Sequence, residues 1–161
     1  MYEHLLVALD GSEPAEHVLP HAEALAQKFG STVTLLRAVV SAETLLAQSA
    51  TAGPAVGEVA PPMDPTPILE AEQSAASEYL TALEGRLRQK GLNVSTEHPE
   101  GNASDVIVER AQALGVSLIL MTTHGRSGLG RLVFGSTADA VLRHAACPVL
   151  LVRVHDSNAS S

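Results

Sequence analysis

The residues best suited to chemistry gather between Thr122 and Thr137, in the stretch TTHGRSGLGRLVFGST. Gly125, Gly128, Gly130 and Gly135 carry no Cβ, so they accept positive φ and let a ligand approach main-chain N–H groups. Ser136 and Thr137 follow with hydroxyls to donate. They open a helical pattern in which Ala138, Val141, Leu142 and Ala145 recur at helical spacing, and either residue is a suitable N-cap. Upstream, Val116 to Met121 is a short apolar run of the kind that fills a strand covered on both faces. A strand, a glycine-dense loop and a helix N-terminus make an anion site. Unpaired N–H groups and the positive end of the helix dipole favour a phosphate there, by roughly 0.3 to 2 kcal/mol for the dipole. Charge agrees, since Arg126 and Arg131 are the only charged side chains in the stretch although the chain has formal charge −8.

Two familiar phosphate loops do not fit these residues. Gly125 to Leu132, GRSGLGRL, has both glycines of the Walker pattern but offers Arg131-Leu132 where a lysine and a magnesium-binding hydroxyl are required. The dinucleotide fingerprint starting at Gly128-Leu129-Gly130 finds Val133 in place of its third glycine, and it belongs on a first strand. His124, beside Gly125, is the one side chain near the loop able to act as acid or base, or else to bond loop backbone.

These residues need a scaffold, and the chain is long enough for one domain, at 161 residues against roughly 100 to 200 per domain. Hydrophobic residues make up 45% and charged residues 17%, enough for a full core. Aromatics at 2% leave little to stack on single-stranded bases, and the acidic balance disfavours a nucleic-acid backbone. No segment approaches the roughly 20 apolar residues of a membrane span, and Met1 leads directly into a strand, so a cytoplasmic protein is expected. Cys147 is a lone cysteine before Pro148 and reads as a small apolar residue. His17 and His21, four apart, read as a partly exposed pair without a third metal ligand.

The elements alternate. His4 to Leu9 is a first strand ending in Asp10-Gly11-Ser12, followed by a helix from about Pro14 to Phe29 whose buried stripe includes Ala15, Val18, Leu19, Ala22, Leu25, Ala26 and Phe29. Asp10 stands at the carboxyl end of that strand, where open α/β sheets bind ligands; it reads as a ligand contact or as an Asx-turn residue holding its own loop. Ser31 to Val40 holds a second strand. Ser41 to Thr66 is a long surface excursion with one helical turn near Glu43 to Gln48. A long helix from Pro67 to Lys90 includes Ile68, Leu69, Glu72, Ala75, Ala76, Tyr79, Leu80, Leu83 and Leu87 at three- and four-residue steps. Leu92 to His98 alternates like an edge strand, Asn102 caps a helix to about Leu114, and Pro148 to Val154 is a last apolar strand before a polar tail, 155–161. The pattern is five strands alternating with four helices, a single doubly wound α/β domain.

Nine residues separate Gly125 from Gly135-Ser136, and this spacing resembles the nucleotide loop of ATP-binding universal stress proteins, whose first glycine position holds Thr122 here. LLVALDGS and CPVLLVRV at the two ends extend the resemblance over almost the whole chain. It implies a five-stranded parallel sheet of order 3-2-1-4-5, of the adenine nucleotide alpha hydrolase-like kind, with an ATP site where strands 1 and 4 part. It further implies that Asp10 meets ribose or adenine, that Ala38 meets adenine through its backbone, that Gly125 and Gly135 cradle phosphates, and that Ser136 and Thr137 donate to them. Mg2+ would be held mainly by the phosphates. A homodimer through 148–154 and a regulatory role, with at most slow ATP hydrolysis, complete the expectation; a slow ATP-hydrolysing enzyme and a scaffold without nucleotide are the alternatives.

Overall fold

Strand β1, His4–Leu9, sets the layering because successive side chains point to opposite faces and both faces are covered. Leu5, Val7 and Leu9 join one apolar cluster, and Leu6 and Ala8 the other. The computed structural model describes residues 1–51, 62, 64–124 and 135–154. Its other strands are β2, Thr32–Arg37; β3, Asn93–Glu97; β4, Leu118–His124; and β5, Val149–Val154. All pairings are parallel and the order is β3-β2-β1-β4-β5. Helices α1, Leu19–Phe29, and α3, Thr66–Gln89, supply Leu19, Ala22, Leu80, Leu83 and Leu87 to the first cluster. Helices α4, Ala103–Ala113, and α5, Ser136–His144, supply Val106, Ile107, Ala138 and Val141 to the second. The result is a doubly wound α/β domain with helices on both faces of the sheet, as expected.

Several local expectations are corrected. The helix expected from Pro14 begins as a 3₁₀ segment, Pro14–Val18, before α1 takes over. Phe29, assigned to the buried stripe, ends α1 and is 45% exposed; its ring meets Tyr2 edge-on, with centroids 5.3 Å apart. Leu142 is likewise exposed, because Ala138 and Val141 already occupy the core-facing side of α5. Ile68 and Ala75 lie outside the core, and the buried part of α3 starts at Ala76. The single turn expected near Glu43 to Gln48 is a ten-residue helix, α2, Ala42–Thr51. The rest of that excursion, 52–61 and 63, and the tail 155–161 lie outside the described residues. Strand β4 does not stop at Met121 but continues through Thr122 and Thr123 to His124. Among the described residues no helix is long and apolar enough to cross a membrane.

Helix α4 is fixed at both ends of its first face. Asn102 accepts from the N–H groups of Ser104, at 3.1 Å, and Asp105, at 3.4 Å, as an N-cap should. Arg110 forms a two-pronged ion pair with Glu97 of β3, each contact 2.7 Å, tying the helix to the edge strand. Replacing Asn102 by alanine should therefore lower unfolding stability by about 1 kcal/mol, with Asn102→Asp largely neutral. Urea denaturation checks this, and an alanine variant as stable as the parent would deny the cap its role.

Candidate functional site

The β1–β4 ladder stops early. β1 pairs with β2 as far as Leu9↔Arg37, but with β4 only as far as Val7↔Leu120. Beyond that point Ala8, Leu9 and Asp10 part from Met121 and Thr122, and a cavity of about 440 Å³ opens at the carboxyl edge of the sheet. This is the crevice that doubly wound sheets form where their helices change sides. Its floor is apolar, from Ala8, Leu36, Ile107 and Met121. Ala38 and Val40 extend β2 along one wall, and α5 begins on the other with Gly135, Ser136, Thr137 and Ala138.

Sequence reasoning placed Asp10, Ala38, Thr122, Gly135, Ser136 and Thr137 in one site, and all six line this cavity. His124 is the last residue of β4, and its side chain lies outside the described part of the chain. Gly125, Arg126 and Gly128 lie outside the described residues altogether. Reasoning from the sequence missed Arg37 and Glu72, which also line the cavity. Arg37 had a signal, being the residue before Ala38 at the end of a strand. Glu72 had none, because its position on α3 fits the periodic stripe equally well.

Both readings of Asp10 hold together. One carboxylate oxygen accepts from the Ser12 N–H, at 2.8 Å, and from the Ser12 hydroxyl, so the side chain shapes its own turn. The residue is nevertheless exposed on the cavity wall, and among the described residues no donor engages its second oxygen. Ser12 in turn accepts from the Ala15 N–H at 3.3 Å. The expected capping of α5 is corrected. Neither Ser136 nor Thr137 is the N-cap; Gly135 is, and no side chain caps the helix. Gly135 has φ 80° and ψ 155°, a region open essentially to glycine alone. The chain therefore enters the helix one residue early, and both hydroxyls fall in its first turn, beside N–H groups that have no intrahelical partner.

At the opposite corner, Arg37 lies 5.6 Å from the centre of the Tyr79 ring. Gly11 has φ 84°, so the turn requires glycine there, and a Cβ at that position would come within 2.8 Å of the guanidinium and displace it. The Tyr79 hydroxyl is buried and makes no hydrogen bond among the described residues. Burial, then the carboxylates of Glu16 and Asp10, hold it well above the ordinary tyrosine range, with Arg37 acting in the other direction. Among the described residues no group of three or more His, Cys, Asp or Glu is arranged to hold a metal.

The sequence matches the model of the universal stress protein family over residues 1–153. Universal stress protein YxiE of Bacillus subtilis is 30% identical over 156 residues, which cover 95% of this chain and 100% of that protein. A structure from the family in Burkholderia pseudomallei superposes with a TM-score of 0.69 at 26% identity, covering 94% of this chain and 96% of that one. Two more distant structures share the fold: a universal stress protein in complex with cAMP, at 18% identity and TM-score 0.63, and one from Arabidopsis thaliana with AMP bound, at 16% and 0.59. They cover 96% and 98% of this chain and 98% and 95% of their own, respectively. Sheet order, crevice and family match together lead to one conclusion, that this chain belongs to the universal stress protein family.

Proposed function

We propose that the chain is an adenine nucleotide-binding regulator of the stress response, holding ATP in the crevice between β1 and β4 without consuming it quickly. The observation that carries this reading is the convergence of Asp10, Ala38, Thr122 and Gly135 to Thr137 on one cavity beside an uncapped helix N-terminus. Unpaired N–H groups and two hydroxyls suit phosphates. The apolar floor suits a base, and a carboxylate with one free oxygen suits a sugar hydroxyl. Distant relatives with cAMP and AMP bound lend support from within the same fold. When ATP is bound, Mg2+ would be held chiefly by the phosphates, and Gly125, Arg126, Gly128 and His124 would complete the phosphate side. The protein would act in the cytoplasm, changing loop order or partner contacts with nucleotide occupancy.

Adenine would be read by fixed backbone groups at Ala38, which present the wrong donor and acceptor pattern to guanine. Calorimetry should accordingly show heat for ATP and none for GTP. Gly135→Val should abolish binding, because a branched side chain cannot take the Gly135 backbone conformation and would stand over the phosphate path. Thr122→Gly should preserve or strengthen it. Equal heats for the two nucleotides, or normal binding by Gly135→Val, would defeat the assignment.

Turnover separates a regulator from an enzyme. With Arg131-Leu132 where a Walker loop has its lysine and hydroxyl, ATP hydrolysis should run far below the median enzyme rate of roughly 10 per second. A phosphate-release assay giving several turnovers each second, and losing them in His124→Ala, would favour the enzyme.

Assembly follows from the sheet edge. β5 is an outer strand with Val149, Leu150, Leu151 and Val152 only half-buried, and Arg153 is its sole charge. Such an edge invites pairing, and two-fold symmetry would close it through 148–154. Light scattering should report a dimer of the 16.7 kDa chain, reduced to monomer or aggregate by Val152→Lys; a monomer for the unmodified protein at micromolar concentration would contradict it.

A further inference from the structure

We infer that Arg37 forms a second anion subsite in the same cavity, and that the preferred ligand is an adenine nucleotide carrying an additional phosphate on ribose, at the 2′ or 3′ position. The inference rests on the adenine nucleotide reading above. Arg37 ends β2 opposite Leu9, the residue before Asp10, so it stands at the corner of the crevice remote from α5. Its guanidinium lies beside Gly11 on one side and over the Tyr79 ring on the other. Among the described residues no ion pair or side-chain hydrogen bond engages it, although Asp10 and Glu72 line the same cavity. A planar, always-charged group with its donors unfilled is suited to a bidentate phosphate.

The neighbouring carboxylate fits the same ligand. A ribose with one phosphate ester and one free hydroxyl presents an anion and a donor side by side. Arg37 would take the first and Asp10, through its free oxygen, the second. The 5′-phosphates would lie at the other end of the cavity, on Ser136, Thr137 and the start of α5. A ribose with two free hydroxyls would leave the guanidinium unmatched.

Titration calorimetry on the full chain with adenosine 3′,5′-bisphosphate, adenosine 2′,5′-bisphosphate and 5′-AMP tests this. One of the bisphosphates should bind at least about tenfold more tightly than AMP, the size of one charge-assisted hydrogen bond. Arg37→Met, which keeps the stem over Tyr79, should reduce that advantage to less than about threefold, since the charged donors are gone. If Arg37→Met does not fold, as judged by circular dichroism, Arg37→Lys takes its place; it keeps the charge but not the fork, and the advantage should fall at least about threefold. Binding of AMP with no preference for either bisphosphate overturns this inference while leaving the nucleotide reading standing. A preference that persists undiminished in the folded variant places the anion contact elsewhere and also overturns it. No binding of any of the three overturns both.

Discussion

The parting of β1 from β4 is the constraint on which the rest of this molecule depends. A parallel sheet must cover both faces with helices, and the connections out of its central strand pair lead to opposite faces. Here α1 and α3 pack on one face, with α4 and α5 on the other. Where they separate, the ladder between β1 and β4 stops at Val7↔Leu120. A crevice is the geometric consequence, and the strand ends and the first turn of α5 are its walls. Substituting a core residue such as Leu6 or Leu120 would act on the site by moving those walls.

An acidic protein that is to hold the 5′-phosphates of a nucleotide has to keep its own carboxylates away from them. The cavity does this by position. Its α5 end offers backbone N–H groups and the hydroxyls of Ser136 and Thr137, while Asp10 and Glu72 come from β1 and α3. Asp139 is in the first turn of α5, but it pairs with Arg143 at 2.8 Å, one turn further along the same helix. The formal charge of −8 therefore says little about what the site will bind.

Much of this was legible in the sequence because the signals are local. Strand runs, helical stripes, the Asn102 cap and the glycine-rich junction are each set by neighbours in the chain. Asp10 and the Gly135-Ser136-Thr137 turn could be assigned to one end of the sheet from their places at element ends. What escaped depends on distant packing. Arg37 looks like an ordinary polar strand end until Gly11 and Tyr79 are brought against it. Phe29 and Leu142 fit helical periodicity but fall where the helix extends beyond, or turns away from, the sheet. Serine and threonine are good caps in general, so the sequence points to Ser136 or Thr137, whereas the glycine-only backbone angles at Gly135 are not readable from composition. Helix α2 is longer than one turn because its helix-forming run, Ala42–Thr51, precedes the proline and glycine breakers of the excursion.

The central claim is that adenine nucleotide occupies the crevice between β1 and β4, and amide NMR of the isotope-labelled protein titrated with ATP addresses it most directly. The account predicts that the amides of Asp10, Ala38, Gly135, Ser136 and Thr137 shift together and report a single dissociation constant. Shifts confined to other surfaces, or none at millimolar ATP, would contradict it.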